Sequence, residues 1–272
     1  MVENVISHEG SEAQLPMWQH SYRGMPNALA RSALFNVSNP RSAGARIDFK
    51  NAEVAATKGI LLTYTGEELR QDDEDVFLQV LHLAKEQKLG EDIRFTANSM
   101  VVALGWSRNS ESYKRLHQCM RRMKATMVEL TLEMPGGGNR GFGGSLLSSF
   151  EWREDEMDDP RREWQVSLEK NIVKLFDPQA YSLIHWKTRL SLPPLAKWLH
   201  TFYSTHTAPF PHKVETLHKL TASKAKELRT FRGKLKIALQ ILVDKGFLLS
   251  ARIDPKSDLV IVERAADRRR LE

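Results

Sequence analysis

Eight lysines and arginines, Lys213, Lys219, Lys224, Lys226, Arg229, Arg232, Lys234 and Lys236, stand close together with only Glu215 and Glu227 as acids among them. That segment carries the whole formal excess of +6, and the other 32 bases and 32 acids of the chain cancel. A surface that meets phosphates concentrates its cations in this way. A solvated helix face is the plain alternative for a run of charge, but the neutrality of the rest favours nucleic acid.

Other patterns suggest chemistry and then lack a part of it. "GGGNRGFGGS" at 136–145 has the glycine step of a phosphate-cradling loop, yet Gly144 stands where the lysine belongs and strand-forming residues follow instead of a helix. It is expected to be a flexible hairpin tip. His200, His206, His212 and His218 recur every six residues, a spacing that no helix or strand brings to one face. Surface positions are expected for them, and no metal. Tyr203, beside the poor metal-binding stretch "THT" at 205–207, makes an unconvincing DNA-cutting nucleophile. The acids Asp72 to Asp75 open a helix, where they cap it and complement its dipole. Cys119 is the single cysteine, which forbids an internal disulfide and any cysteine-built zinc site and suits a reducing compartment. No catalytic constellation and no cofactor are expected.

The elements that position the cations come next. "KAKELRTFRGKLKIALQILVDKG" places Leu228, Phe231, Leu235, Ala238, Leu239 and Leu242 on one side of a long helix that Gly246 ends. "FLLSARI", the turn "DPKSD" and "LVIVER" then form a hairpin, with the helices "PLAKWLHTFYS" and "VETLHKL" upstream. Helix, short helix, long basic helix and hairpin is the order of a winged helix. The same order occurs earlier in "DEDVFLQVLHLAKEQ", "TANSMVVAL", "ESYKRLHQCMRRMKA" and the strand "MVELTLEM". At a constant offset of 118 residues Phe77 faces Leu195, Leu78 Ala196, Val80 Trp198, Leu81 Leu199, Ala84 Phe202, Val102 Leu220, Tyr113 Phe231, Met120 Ala238, Met123 Ile241 and Leu130 Leu248. Two copies of one unit are implied. The first is expected to carry a longer wing, from the glycine-rich tip through "SLLSSFEWRE" and "EWQVSLE", with the acidic "EDEMDDP" as a solvated loop.

Opposite the apolar stripe of the second long helix lie Lys226, Arg229, Gly233, Lys236 and Gln240. A helix fits the major groove of B-DNA, where Arg and Gln pair with base edges and Lys with phosphates. Gly233 lets the backbone come close, and the flanking Lys224, Arg232 and Lys234 suit phosphates. Ile237, near that face, is expected to pack against the wing rather than touch a thymine methyl. In the first copy Arg108, Asn109, Lys114, Arg115 and Gln118 decorate the equivalent helix, with Arg121 and Arg122 beyond them. DNA contact and dimer contact are both open there. Two readers in one chain can cover adjacent groove segments, so a monomer can bind a direct repeat.

Three runs, "MPNALARSALF" at 25–35, "LTYTGEELRQDDEDVF" at 62–77 and "LGWS" at 104–107, closely resemble the TrfA family, replication initiators of broad-host-range IncP plasmids. The resemblance extends over most of residues 25–263. It implies two winged helices that bind tandem origin repeats (iterons) in double-stranded DNA, help open a segment that becomes AT-rich single-stranded DNA, recruit the host initiator and replicative helicase, and limit copy number through monomer–dimer exchange. It also implies a sliding-clamp peptide of the form Q-L-x-L-F. Gln14, Leu15, Pro16, Met17 and Trp18 occupy those places, with Met and Trp where the form has Leu and Phe.

The expectation is therefore an α+β protein of tandem winged helices with a flexible tail. Residues 1–24 form the tail with the clamp-binding Gln14, Leu15, Met17 and Trp18; 25–170 the first winged helix; 171–266 the second and main DNA reader; 267–272 a C-terminal tail. No run approaches the ~20 apolar residues of a membrane span and no secretion signal opens the chain, so a cytoplasmic, plasmid-associated protein is expected. Its function is expected to be plasmid replication initiation, with a winged-helix transcriptional repressor as the alternative and no enzymatic activity.

Overall fold

The computed structural model describes residues 14–39, 46–88, 92–134, 136–152, 163–176 and 180–265. The acidic "EDEMDDP" loop, residues 1–13 and the C-terminal tail 267–272 lie outside the described residues. The fold mixes helices and antiparallel sheet, and two units share one order of elements.

In the first unit α2 (Gln71–Ala84) leads to β6 (Ile93–Thr96), α3 (Ala97–Ala103) and α4 (Ser110–Lys124), and a three-stranded sheet is completed by β9 (Leu147–Trp152) and β10 (Glu163–Leu168) in the order β6-β10-β9. In the second, α6 (Pro194–Ser204) leads to β12 (His212–Lys213), α7 (Val214–Leu220) and α8 (Leu228–Asp244), and β13 (Leu248–Ile253) and β14 (Leu259–Arg264) complete a sheet in the order β12-β14-β13. The 118-residue offset carries the first residue of α4 onto the first residue of α8. Most of the matched side chains are buried in both units, Val80 with Trp198 and Tyr113 with Phe231 among them. Leu195 and Ile241 are only partly buried, and Val102 is 45% exposed where Leu220 is buried.

The offset holds through three helices and then fails. Between α4 and β9 the first unit inserts β7 (Met127–Glu133) and β8 (Asn139–Gly144), which join β3 (Asp48–Val54) and β4 (Ile60–Glu67) in a separate sheet of order β3-β4-β7-β8. The glycine-rich tip belongs to this extra sheet and not to the first wing. Gly136, Gly137 and Gly138 all have positive φ there, which L side chains rarely adopt. By topology the counterpart of β13 is β9, so the pairing of Leu130 with Leu248 joins strands of different sheets.

Local chemistry sets the helix ends. Thr96 caps α3 through a reciprocal bond with Ser99, and the Asn109 side chain accepts the Ser112 N–H at the start of α4. At the end of α8, Gly246 (φ 70°) donates to the Val243 carbonyl and Phe247 to the Leu242 carbonyl, a left-handed stop that glycine adopts freely.

There are two apolar cores. The first continues past residue 170 to Ile184 and Trp186, and the second begins at Leu192. Packing thus divides near 186–192 and not at 170/171, because β1 (Tyr22–Pro26) pairs with β11 (Tyr181–His185) and holds that strand on the first core.

Residues 14–24 are no free tail in this structure. Leu15 is 2% and Trp18 7% exposed; the Trp18 ring stacks on Phe176 and its indole N–H donates to His82 Nδ1 at 3.0 Å. Gly24 packs against that ring so closely that a Cβ would come within 2.8 Å of it. The Gln14 amide donates to the Lys85 carbonyl, while Met17 points outward, 63% exposed.

Candidate nucleic-acid interface

Helix α8 separates its residues by face. Phe231, Leu235, Ala238, Leu239 and Leu242 are buried against α6, α7 and β13. The exposed arc of the helix holds Arg229, Thr230, Gly233, Lys234, Lys236, Ile237 and Gln240; Lys226, expected on the helix, is exposed in the bend just before its first turn. Lys226, Arg229, Lys234 and Lys236 form no ion pair among the described residues, so their charge is directed at solvent. A Cβ built on Gly233 would meet nothing within 4 Å; the glycine opens a gap midway along the arc.

Three of the sequence-expected residues are engaged within the protein. Arg232 makes a bidentate pair with Asp258 at 2.9 Å, which fastens α8 to the turn of the β13–β14 hairpin and raises the guanidinium pKa. Lys224 reaches Glu68 at 3.1 Å across to the first unit. Burial pushes Glu68 up, but hydrogen bonds from Arg70 and Lys224 outweigh it and hold the carboxyl below its ordinary value. Gln240 donates to Asp244 at 2.8 Å. Ile237 does not pack against the hairpin; it is 65% exposed. Thr230 and the exposed Arg252 and Lys256 of the hairpin were missed by the helical wheel, which ranks only one helix and ignores residues beyond it.

The equivalent helix α4 carries exposed cations too, but it also commits two arginines to buried acids. Arg108, Lys114 and Gln118 are exposed, with Arg121 and Lys124 beside them. Asn109 is occupied as the cap. Arg115 turns inward, 3.1 Å from Asp72 and over the Trp106 ring at 4.0 Å, and Arg122 meets Asp73 at 2.8 Å.

Those carboxylates form a junction that the capping expectation did not foresee. Asp72, Asp73, Glu74 and Asp75 are all buried. Arg46 and Arg122 hold Asp73 from the first unit; Arg189, in the short helix Trp186–Leu190 between the units, holds Glu74 at 3.2 Å and Asp75 at 2.7 Å, and Lys197 of α6 in the second unit also bonds Asp75. Burial raises Asp72, but the Arg115, Arg46 and Arg122 charges overcome it and its carboxyl lies below the usual range. Asp73 goes the other way: full burial and the Asp72 charge raise it despite Arg122 and Arg46.

The histidines are not surface groups as a set. His200 is buried, and burial lowers its pKa to about 3; His206 is lowered to about 4, and His218 Nε2 lies 3.0 Å from the Ala225 carbonyl. The Tyr203 hydroxyl is sealed in the second core, with its pKa raised by burial, out of reach of any DNA strand. Among the described residues no group of three His, Cys, Asp or Glu is placed to hold a metal, and no helix is long and apolar enough to cross a membrane.

A profile described as TrfA protein matches residues 6–264. The chain belongs to the TrfA family. It is 32% identical over 252 residues to the plasmid replication initiator protein TrfA of Escherichia coli, an alignment that takes in 91% of this chain and 63% of that protein's length. The chain thus spans less than two thirds of that curated TrfA relative. Two crystal structures of domains 2 and 3 of RctB share the fold, at 12% identity: one with a TM-score of 0.58, covering 88% of this chain and 98% of that one, the other with 0.54 over 85% and 95%. This TrfA-family fold, with the free cations of α8 on its outer side, frames the functional reading.

Proposed function

We propose that the chain is a plasmid replication initiator without catalytic activity of its own. Its two units act as winged helices that bind direct repeats of double-stranded origin DNA. The second is the main reader. The observation that carries this reading is the exposed face of α8, where Arg229, Lys234 and Lys236 stand unpaired around Gly233, with Lys226 just before its first turn; the family assignment supports the plasmid origin as its target. Bound in the major groove, that face offers a guanidinium for a guanine edge and ammonium groups for phosphates. The β13–β14 hairpin, pinned by Arg232, brings Arg252 and Lys256 to the flanking backbone.

Opening of the AT-rich segment, recruitment of host initiator and helicase, and copy control through self-association complete the proposal as the family implies them. For the sliding clamp, Gln14 and Met17 are accessible, whereas Leu15 and Trp18 lie in the first core. Clamp binding by this peptide therefore requires segment 14–19 to detach and leave the His82 bond behind.

Footprinting on the plasmid's own origin tests the reading. Protection repeating at about two helical turns supports tandem repeats read by a monomer, a single palindromic footprint supports a repressor, and no protection rejects both.

A further inference from the structure

The outward arc of α8 contains one large apolar side chain. Ile237 is 65% exposed, above Met17, Phe210 and Leu249 among the described residues. Its neighbours on the arc are Gly233 one turn before, Lys234 and Lys236 beside it, and Gln240 three residues on. No second exposed apolar residue lies on the arc, so the position does not belong to a hydrophobic patch that would bind a protein. A β-branched residue at an exposed helix position gains nothing for the helix itself.

The groove that this face fits has one apolar feature, the C5 methyl of thymine. We infer that Ile237 is a specificity-determining residue that takes a thymine methyl in the major groove. The inference rests on the reading of α8 as the DNA-contacting helix. The gap at Gly233 lets the base edge approach the flank of Ile237, since nothing lies within 4 Å of where a Cβ would stand. The surrounding cations hold the backbone and carry no preference for sequence. Ile237 adds a preference for A·T at one position without adding charge.

The test uses the full chain and the origin duplex protected in footprinting, with each thymine replaced in turn by deoxyuridine, which removes only the methyl. Wild type is expected to bind about threefold to fivefold more weakly at one position, the effect of losing one buried methyl. In Ile237→Ala that same replacement should cost nothing, because the partner of the methyl is already gone. The Ile237→Ala protein should retain its fold, its side chain being exposed. Two results overturn the inference: no thymine whose uracil penalty vanishes in Ile237→Ala, or equal binding by Ile237→Ala and wild type. Arg229→Ala and Lys236→Ala on the same duplex separate the levels. If they weaken binding while Ile237→Ala does not, only the thymine contact falls. If none of the three alters binding, or no footprint forms, the reading of α8 falls and this inference with it.

Discussion

Helices α4 and α8 occupy the same place in two repeated units and bury equivalent faces, yet they dispose of their cations differently. On α8 three of them, Arg229, Lys234 and Lys236, face solvent unpaired, as Lys114, Arg121 and Lys124 do on α4. On α4, Arg115 and Arg122 turn towards Asp72 and Asp73, so the first unit gives two of its arginines to the junction. One scaffold thus supports a helix that commits no cation to the buried acids of α2 and a helix that commits two. The difference comes from the acids of α2, whose counterpart positions 190–193 in the second unit read Leu-Ser-Leu-Pro.

The comparison breaks most severely at the junction. Asp75→Ala leaves Arg189, which is fully buried, with a partner missing, and should destabilise the fold by about 3 to 5 kcal/mol in denaturant unfolding. A loss below 1 kcal/mol would show the acids to be dispensable. Next come the two helices themselves. Arg229→Ala and Lys236→Ala should each weaken origin binding by about 1 to 3 kcal/mol at unchanged unfolding midpoint. Arg115→Ala should do the reverse, lowering stability by about 1 to 3 kcal/mol with little change in affinity. Equal affinity losses for Arg115 and Arg229 would abolish the contrast.

A third measurement asks where the units agree. His82 and His200 stand at the same position of the repeat, both buried, and burial lowers both to about 3. The unfolded chain takes up protons below about pH 6.5 that these folded rings refuse, so their effect on stability is nil above that pH and grows as pH falls. His200→Gln should remove about one proton's share of the slope between pH 6 and 4, seen in denaturation midpoints across that range. An unchanged slope would place the ring in solvent. The smallest effect belongs to Gly233→Ala: with open space around the new methyl it should stabilise α8 by about 0.5 to 1 kcal/mol, while origin binding weakens if the gap serves close approach.

The helices of both units were legible because a 3.6-residue apolar pattern is a local property, and a shared offset exposes the repeat. Sheet membership was not local. "MVELTLEM" looks like a wing strand from its alternation alone, and only its pairing with β4, some sixty residues earlier, removes it from the wing. The junction was hidden for the same reason: four acids opening a helix suggest a solvated first turn, while the arginine that buries two of them lies 114 residues away from Asp75. The tail placement of Trp18 fails for the same reason, since its partners Phe176 and His82 are distant in sequence. In the candidate interface the facing of Arg229, Gly233 and Lys236 could be drawn from a wheel; the start of the helix after Lys226 and the diversion of Arg115, Arg232 and Lys224 into ion pairs could not, the pairs because each depends on an acid from another element.

The Asp72–Asp75 junction has a consequence for the DNA that the chain can accept. It ties α4 to one buried block through Arg122 on one side, and α6, against which α8 packs, through Arg189 with Lys197 on the other. With both helices in the groove, as the proposed function has it, the protein would work as a fixed-span caliper: the distance between the two stretches of groove it could touch would be set inside the protein. An origin whose repeats drift in length loses contact with one jaw, and regaining it requires rebuilding buried charge, a harder change than altering any residue that touches a base.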